Sequence, residues 1–331
     1  MLMFYMPYQP PFTLTHPMLS LVADIAELIG IWKAAQGGEL VPQLRRGNRI
    51  KTIQASLAIE QNTLTLEQVT AVLDGKVVLG PPKEVQEVKN AFAAYDAMPD
   101  WQPHELANLL SAHKILLHGL ADDAGRIRNT DVGVYQGKRL VHMAPPASRV
   151  QQLLGQLLDW LKNTDAHPLI ASCAFHYEFE FIHPFTDGNG RMGRLWQTLI
   201  LSKWQPVLAY LPVESLIKHQ QTDYYRLLNQ ADNTADCSEF IVFLLQAIKS
   251  ALQQAIKTEH QMSVEMSAKM SVEIPTQILL LLADNPKLTL AEMAKIIGKS
   301  SRTVERAAAK LQHEGKLKFV GPRKGGYWQV L

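Results

Sequence analysis

Apolar residues recur at three- and four-residue intervals along most of this chain, which is the spacing of an amphipathic helix. The first such run ends near Gly30, a residue that often follows the last turn of a helix. We therefore predict a mainly α fold. The predicted helical stripes are Leu19–Val22–Ile25–Ala26–Ile29, Ile50–Ile53–Leu57, Leu106–Leu109–Leu110–His113–Leu117, Val150–Leu153–Leu154–Leu157–Leu158–Leu161, a run from Pro168 to Ile182, and Phe240–Phe243–Leu244–Ile248.

One stretch interrupts the helical periodicity. The segment "VGVYQGKRLVH", from Val132 to His142, has branched and aromatic residues on both sides of a Gln-Gly pair. Such residues favour strands, and the pair between them favours a turn. We predict a short hairpin or extended flap that the Pro145-Pro146 pair closes.

A separate pattern occupies the C-terminal end. Residues 261–274, "QMSVEMSAKMSVEI", carry a small duplication without an apolar face, typical of a linker or a solvated helix extension. Beyond it we predict helices over Thr276–Ala283 and Leu290–Ile297, and a third through Leu311 that Ser300 or Ser301 caps. Two short strands around a Gly-Pro-Arg-Lys-Gly-Gly turn complete a winged helix-turn-helix.

The predicted domain organisation is therefore an N-terminal helical region over residues 1–100, a core over 101–255, a linker over 256–273 and the winged helix-turn-helix over 274–331. Net charge differs between the C-terminal module and the rest of the chain. The chain has a formal net charge of +2, yet from Ser271 to Leu331 ten Lys and Arg face five Asp and Glu. A basic end on a slightly acidic body indicates a polyanionic partner for that module.

Composition narrows the setting of the protein. Its 331 residues include two cysteines, Cys173 and Cys237, in no metal-ligand spacing and too few for a disulfide framework. We interpret both as buried apolar residues in a reducing cytoplasm. The start, "MLMFYMPYQPPFTLTHP", lacks the basic segment and cleavage site of a signal peptide. No apolar run reaches the length of a membrane span.

The most informative stretch is "HPFTDGNGRMGRLW", from His183 to Trp196. Gly188-Asn189-Gly190 gives a turn with unusual backbone freedom, and the apolar spacing after it starts a helix. Unpaired N–H groups at such a helix start bind anions. Arg191 and Arg194 lie three residues apart and can hold phosphate oxygens in a bidentate manner.

An acid and a base flank this turn. Asp187 can reach a hard cation that bridges phosphates, and Mg²⁺ suits a site of one carboxylate plus phosphates. His183 lies four residues upstream, and its usual pKa suits a general base. A base is needed only if a hydroxyl attacks the bound phosphate. The set indicates phosphoryl or nucleotidyl transfer, with His183 deprotonating the incoming hydroxyl.

The segment resembles the Fic family, whose signature is His-x-Phe-x-Asp/Glu-Gly-Asn-Gly-Arg-x-x-Arg, and every fixed position matches. The resemblance implies an all-helical core that moves AMP from ATP, with Mg²⁺, to a hydroxyl of a target protein. Kinase-like and phosphocholine-transferring members exist, but they usually depart from the signature. The implied site is His183 as general base, Phe185 under the loop, Asp187 on magnesium, Gly188, Asn189, Gly190 and Arg191 around the α- and β-phosphates, and Arg194 on the γ-phosphate.

The resemblance also interprets residues outside the signature. The hairpin takes the place of the family's flap, in which Val132, Gly133, Val134 and Tyr135 would align the target backbone as an added strand. Tyr224, in "DYYRLL", matches a tyrosine that lies against the adenine, although an ordinary core aromatic is the alternative.

A second motif lies far upstream, in "ASLAIEQNTLT". By itself this reads as the end of an amphipathic helix, with Asn62 as a C-cap. Beside the signature, Ser56-x-x-x-Glu60 resembles the family's inhibitory motif, Ser/Thr-x-x-x-Glu-Gly/Asn. The resemblance implies an inhibitory helix around residues 50–62, from which Glu60 pairs with Arg194 and leaves ATP in an unproductive pose. Gln61 departs from the usual Gly or Asn, which could loosen the helix end.

Two functions remain open at this point. The first is a self-restrained protein adenylyltransferase, in which removal of AMP and a homodimer are further properties seen in similar proteins. The second is a DNA-binding regulator whose core only senses nucleotide. For DNA contacts we single out Lys299, Arg302, Arg306 and Lys310 on the third C-terminal helix, and Arg323 and Lys324 in the wing.

Overall fold

The computed structural model describes residues 8–36, 42–136, 139–270, 274–322 and 326–331. The chain divides into two compact units, Met1–Lys257 and Thr258–Leu331. Helices dominate both units, which confirms the predicted class. Within the described ranges, no helix combines the length and the apolar character needed to cross a membrane.

Four helices precede the core of the first unit. They are α1 (His16–Gln36), α2 (Pro42–Ile59), α3 (Leu66–Leu73) and α4 (Pro82–Ala97). The predicted end of α1 near Gly30 is wrong, because the helix continues to Gln36 and buries Trp32. Burial of a large aromatic side chain outweighs the cost of about 1 kcal/mol for an internal glycine. The start of the stripe is also displaced, since Met18 is buried and Leu19 is 54% exposed.

Helices α3 and α4 were absent from the predicted elements. Thr65 caps α3 and forms a capping box with Gln68, in which each side chain accepts from the other residue's backbone N–H. The sequence Thr-Leu-Glu-Gln carries this signal, because a capping box needs Ser or Thr followed three residues later by Glu or Gln. Pro82 at the start of α4 is a second readable signal.

The hairpin and the central helices follow. They are α5 (Leu106–Leu116), β1 (Gly133–Gln136), β2 (Arg139–Met143), α6 (Ala147–Asn163), α7 (Pro168–Ile182) and α8 (Asn189–Trp204). The strands pair antiparallel, with Val134 opposite His142, which confirms the predicted hairpin. Residues 137 and 138 at its turn lie outside the described residues. Helix α7 begins at Pro168 as predicted, and it is buried along most of its length against α8.

Two helices and the first part of a third complete the first unit, which ends at Lys257. They are α9 (Val213–His219), α10 (Gln221–Thr234) and α11 (Ser238–Met270). Both cysteines are free and buried. Helix α11 runs through most of the predicted linker, so residues 256–270 belong to a helix, one of the two interpretations that the sequence left open.

The second unit has the predicted winged helix-turn-helix fold. Its elements are α12 (Ile274–Asp284), α13 (Leu290–Ile297), α14 (Ser301–His313), β3 (Leu317–Val320) and β4 (Tyr327–Val330). The side chain of Ser300, not Ser301, caps α14 by accepting from Thr303 N–H at 3.3 Å. Ile278, Met293, Val304 and Trp328 belong to the core that its helices and hairpin share.

Candidate active site

The candidate site lies where α7 ends and α8 begins. His183 ends α7 in the left-handed conformation (φ 50°), and Gly188 precedes α8 with φ 84°. The first hydrogen bond of α8 runs from Met192 N–H to Gly188 O. The N–H groups before it therefore project from the helix start, as an anion-binding turn requires.

Asn189 and Phe185 fix the loop between the two helices. The Asn189 side chain accepts from Phe185 N–H at 2.9 Å and donates to Phe185 O at 2.8 Å. Phe185 is fully buried, so the prediction that it packs under the loop agrees with the structure. A Cβ at Gly188 would meet the Leu117 side chain at 2.6 Å, which together with the positive φ explains the glycine.

His113 supports this loop from α5. Its ring stacks on Phe185 with centroids 3.6 Å apart, its Nδ1 accepts from Gly125 N–H at 2.8 Å, and its Nε2 lies 3.0 Å from Asp187 O. Since one nitrogen accepts and the other meets a carbonyl oxygen, Nε2 carries the proton. Burial lowers the pKa of His113, which keeps the ring neutral. The sequence predicted His113 only as part of a helical stripe.

Arg128 is a second supporting residue that sequence reasoning missed. It is 3% exposed, and its guanidinium donates to the carbonyl oxygens of His183 (2.7 Å), Thr130 (2.8 Å), Pro145 (2.6 Å) and Ile182 (3.3 Å). One cation thus ties the base of the hairpin to the end of α7. Its partners are backbone atoms, which leave no motif in the sequence.

The ring of His183 has a defined orientation. Its Nδ1 lies 3.2 Å from Glu180 O, and because a carbonyl oxygen only accepts, Nδ1 carries the proton. Nε2 is then the basic nitrogen. Burial, partly offset by this hydrogen bond, lowers the pKa of His183 to about 4. The ring is therefore neutral and able to accept a proton near pH 7.

This pKa gives a prediction for pH dependence. The pH profile of kcat/KM reports the groups of the free enzyme. Below its pKa His183 is charged and cannot act as a base, so transfer activity should fall as pH decreases toward about 4. The measurement is kcat/KM from pH 4 to 8 at constant ionic strength, with folding checked by circular dichroism. An acid limb near 6.5, the usual histidine value, would contradict the buried environment.

Asp187 and Arg191 lie on the outer side of the turn. Asp187 Oδ1 accepts from Gly188 N–H at 2.6 Å and from Arg191 NH2 at 3.0 Å, and the carboxylate is 54% exposed. Arg191 also contacts Glu87 on α4, at 3.4 Å. Within the described ranges, no cluster of three or more His, Cys, Asp or Glu side chains could hold a metal alone. Asp187 fits an Mg²⁺ ion that takes its other ligands from phosphates and water.

Arg194 is almost fully buried and faces the end of α2. Its Nε donates to Ser56 Oγ at 3.0 Å, and its NH2 donates to Ser56 O at 3.0 Å and to Glu60 Oε1 at 2.7 Å. Burial alone would lower the pKa of Arg194, but Glu60, Tyr224 and Glu180 outweigh burial and leave it raised. The guanidinium is therefore a cation whose hydrogen bonds are directed at α2.

Glu60 also lies over the turn itself. Gly190 leaves space for its carboxylate, since a Cβ at position 190 would collide with Glu60 Oε1. The structure thus brings together the two motifs, Ser56/Glu60 and Gly188–Arg194, that are more than 120 residues apart in sequence. The Glu60 carboxylate occupies the space beside the anion-binding turn.

The end of α2 differs from the predicted C-cap. Gln61, not Asn62, takes the left-handed conformation, with φ 69°. Gln61 N–H donates to Ala58 O at 3.2 Å and Asn62 N–H donates to Leu57 O at 3.1 Å, the bond pattern of a Schellman motif. Asn62 instead reaches α4 through Glu84 O and Glu87. Both capping hydrogen bonds therefore form although position 61 is not glycine, and Gln61 adopts a strained left-handed backbone conformation.

A substitution at this position tests that strain. Gln61→Gly should raise the free energy of unfolding by about 0.5–1 kcal/mol, because the left-handed conformation costs a non-glycine residue about 1–2 kcal/mol, part of which the greater backbone entropy of glycine offsets. Gln61→Ala is the matched control and should bring no gain, since alanine keeps the penalty. Denaturant unfolding of the three proteins measures the difference. Equal gains from glycine and alanine would contradict this account.

Tyr224 does not present an open ring in this structure. It is 1% exposed, and its hydroxyl lies 2.9 Å from His176 Nε2, next to Phe240. His176 Nδ1 meets Gln197 Oε1 at 2.7 Å and so carries the proton, which leaves Nε2 to accept from Tyr224. The geometry fits the core-aromatic alternative. Tyr225 is half-buried beside it, with ring centroids 5.2 Å apart.

The flap and the C-terminal cations complete the predicted set. Gly133 pairs with Met143 across the hairpin, and Val132 lies just before β1. The side chains of Val134 and Tyr135 lie outside the described residues, as do Arg323 and Lys324 in the wing. Lys299, Arg302, Arg306 and Lys310 are all exposed in or just before α14. The last three are spaced by four residues and share one helix face.

Comparisons with known proteins bear on this site. The profile of the Fic/DOC family matches residues 103–201, and that of a winged helix-turn-helix DNA-binding domain matches residues 273–318. A crystal structure of a Fic family protein from Desulfovibrio desulfuricans G20 is 49% identical, covers 98% of both chains and has a TM-score of 0.78. The chain belongs to the Fic family.

Curated relatives named as protein adenylyltransferases also match, but the match covers a smaller share of each relative's length. Protein adenylyltransferase fic-1 of Caenorhabditis elegans is 33% identical over 261 residues, which cover 72% of this chain and 48% of the relative. Protein adenylyltransferase Fic of Nematostella vectensis is 30% identical over 213 residues, covering 60% and 47%. The chain therefore spans about half the length of the curated relatives it matches.

Proposed function

We propose that this Fic protein is an adenylyltransferase that transfers AMP from ATP to a hydroxyl side chain of a target protein. The observation that carries the proposal is the geometry of His183, whose buried ring keeps Nε2 unprotonated beside an anion-binding turn. A nucleotide-sensing core without catalysis has no need of a base at this position. The names of the curated relatives support the same activity.

The chain's residues divide the reaction between them. The target hydroxyl gives its proton to His183 Nε2 as its oxygen bonds to the α-phosphorus. The bond between that phosphorus and the bridging oxygen to the β-phosphate breaks, and pyrophosphate leaves. N–H groups at the start of α8 and Arg191 stabilise the charge on the α- and β-phosphates. Mg²⁺, held by Asp187 and the phosphates, would neutralise charge on the leaving group.

We further propose that Glu60 restrains this activity. The γ-phosphate would need the guanidinium of Arg194, which in this structure donates to Ser56 and Glu60. ATP can then bind the turn only without its γ-phosphate contact. Release of α2 would free Arg194, whereas a retained Glu60 beside the bound nucleotide could also orient water for removal of AMP. A cytoplasmic setting and a homodimer stay predictions.

The direct test is incubation of the purified protein with ATP labelled on the α-phosphate and with Mg²⁺, followed by mass spectrometry for added AMP on the protein itself. A parallel incubation with γ-labelled ATP separates AMP transfer from phosphate transfer. Label from the α-phosphate alone supports adenylyl transfer, and label from the γ-phosphate alone would contradict it. No label from either, in wild type and in a variant lacking Glu60, would favour the non-catalytic alternative.

A second function, DNA binding, rests on the C-terminal unit. A winged helix-turn-helix DNA-binding profile matches most of its sequence, and α14 presents Arg302, Arg306 and Lys310 on one exposed face. A helix of this kind enters the major groove in winged helix-turn-helix proteins, where cations contact phosphates and base edges. We propose duplex DNA as the partner of this unit, alongside transferase activity in the first.

Charge reversal on this face tests the proposal. Arg302→Glu with Arg306→Glu in the full chain should abolish duplex binding at low salt, because both phosphate attraction and counterion release are lost. AMP transfer should not change, since neither residue belongs to the transferase site. Lys83→Glu with Lys89→Glu, on exposed positions of α4, is the control of equal charge. A gel-shift assay at several salt concentrations decides. Absence of wild-type binding at low salt would favour a protein partner.

A further inference from the structure

A cavity of about 340 Å³ lies in the first unit, away from the anion-binding turn. Its lining includes three cationic side chains, one hydroxyl and one tyrosine ring, and no carboxylate. We call it the basic cavity. The residues that matter are Arg45 and Arg49 on α2, Ser202 and Lys203 at the end of α8, and Tyr210 in the short turn that follows.

Two cations of the basic cavity, Arg49 and Lys203, each donate to a backbone carbonyl oxygen. Arg49 NH1 donates to Tyr95 O at 2.8 Å, and its guanidinium lies 4.9 Å and 5.2 Å from the ring centroids of Tyr95 and Tyr210. Lys203 Nζ donates to Pro99 O at 2.8 Å. No ion pair within the described ranges involves Arg49 or Lys203.

This arrangement fits an anion. Arg49 forms no ion pair within the described ranges, and burial lowers the pKa of its guanidinium. Tyr95, Tyr210, Glu214 and Asp96 favour the charged form but only partly offset burial. Guanidinium groups bind phosphate through paired N–H groups, and the Ser202 hydroxyl and Lys203 ammonium add donors. Tyr210 and Pro206 give an apolar wall for an organic substituent.

The position of the cavity matters as much as its charge. Helices α2 and α8 are joined at one place by Arg194, near the start of α8, through Ser56 and Glu60 at the end of α2. The cavity lies between the opposite ends of the same two helices. On α2, Arg49 precedes Ser56 by about two turns, or roughly 10 Å. A ligand that contacts Arg49 and Lys203 therefore joins the two helices a second time.

Two buried polar side chains of α2 lack hydrogen bonds to the part of the chain that the structure describes. Asn48 and Thr52 lie on the same helix face as Ser56 and are buried, yet Asn48 Nδ2 and Thr52 Oγ1 have no hydrogen-bond partner among the described residues. Buried polar atoms without partners oppose docking of a helix. They reduce the free energy that favours docked α2 over released α2, and a bound ligand can shift that balance.

We propose that the basic cavity binds a small phosphate-bearing anion, which holds α2 against α8 and strengthens the contact of Glu60 with Arg194. The regulatory effect rests on the proposed transferase function, whereas binding and docking do not. The anion is inorganic phosphate or a small organic phosphate ester. A ligand that prefers the docked state must, by linkage, bind more weakly once α2 is released.

Binding is tested on the full chain with inorganic phosphate and phenyl phosphate, by calorimetric titration. The variant Arg45→Met with Lys203→Met removes two cavity cations, and Lys83→Met with Lys89→Met on α4 removes the same charge elsewhere. We expect cavity affinity to fall at least tenfold in the first variant and to change less than twofold in the second. Tighter binding of phenyl phosphate would assign the organic ester, and tighter binding of phosphate the inorganic ion. Equal binding by all three proteins would overturn the proposal.

Amide hydrogen exchange locates the effect and separates the cavity from the anion-binding turn. Phosphate should slow exchange along α2 in wild type and the control, and not in the cavity variant. Slowed exchange confined to the start of α8 would overturn the proposal, since only the turn is then occupied. In AMP-transfer assays, phenyl phosphate should inhibit wild type several-fold more than Glu60→Gly. Binding and exchange decide the site even if no transfer is detected, so failure of the transferase proposal remains distinguishable.

Discussion

Replacing His183 by alanine should lower AMP transfer by at least 10²- to 10⁴-fold, the usual contribution of a general base. The loop should survive, because Arg128 holds the residue through its carbonyl oxygen and Asn189 closes the turn through Phe185. ATP affinity should therefore stay within a few-fold of wild type. The measurements are the transfer rate at saturating ATP and the dissociation constant of ATP, each on the same preparation.

A second variant guards against a trivial loss of structure. His183 has φ 50°, a conformation that costs alanine about 1–2 kcal/mol and that asparagine tolerates. His183→Asn keeps the local backbone and removes the base, so it should be as inactive as the alanine variant and unfold closer to wild type. Turnover at the wild-type rate by either variant would remove His183 from the proposed role.

The signature loop was readable from the sequence because its parts are contiguous. The glycines, the asparagine and the two arginines lie within seven consecutive residues, from Gly188 to Arg194. Local rules predict both the helix start and the anion-binding groups. The residues outside the signature that support the loop could not be predicted from the sequence. His113 and Arg128 hold it through carbonyl oxygens of distant residues, and contacts to backbone atoms impose no residue type on the partner.

The sequence also did not determine which side chains of a helix face the core. Tyr224 and Tyr225 are adjacent, and about 100° of rotation about the helix axis separates their side chains. Packing of Tyr224 against His176 and Phe240 decides which ring is buried, and those partners come from α7 and α11. At the end of α2, a left-handed Gln61 breaks the preference for glycine, so the sequence pointed one residue too far, to Asn62.

Replacing Glu60 by glycine should raise AMP transfer about 10- to 100-fold. The carboxylate accepts from the almost fully buried Arg194 at 2.7 Å, and a hydrogen bond to a charged group contributes about 1.5–3 kcal/mol. When Glu60 is removed, Arg194 can bind the γ-phosphate instead. Since 1.4 kcal/mol corresponds to a factor of ten, a contribution of this size to γ-phosphate binding gives the expected range. Gln61 makes the rate increase smaller, because strain at the helix end already favours release of α2 in wild type.

Glu60→Gln separates charge from shape. Its amide oxygen can still accept from Arg194, but without a formal charge, so an intermediate increase is expected if the charge of Glu60 is what holds the guanidinium. Ser56→Ala should raise the rate less than Glu60→Gly, because the backbone oxygen of Ser56 continues to accept from Arg194.

The decisive comparison adds Arg194→Ala to Glu60→Gly. If Glu60 acts by occupying Arg194, the double variant loses most of the gain, because the freed guanidinium is then absent. If Glu60 only fills space over Gly190, the double variant keeps the gain. Rates of wild type, both single variants and the double variant at saturating ATP and Mg²⁺ complete the cycle. Equal rates for wild type and Glu60→Gly would contradict the inhibitory role and leave that of His183 intact.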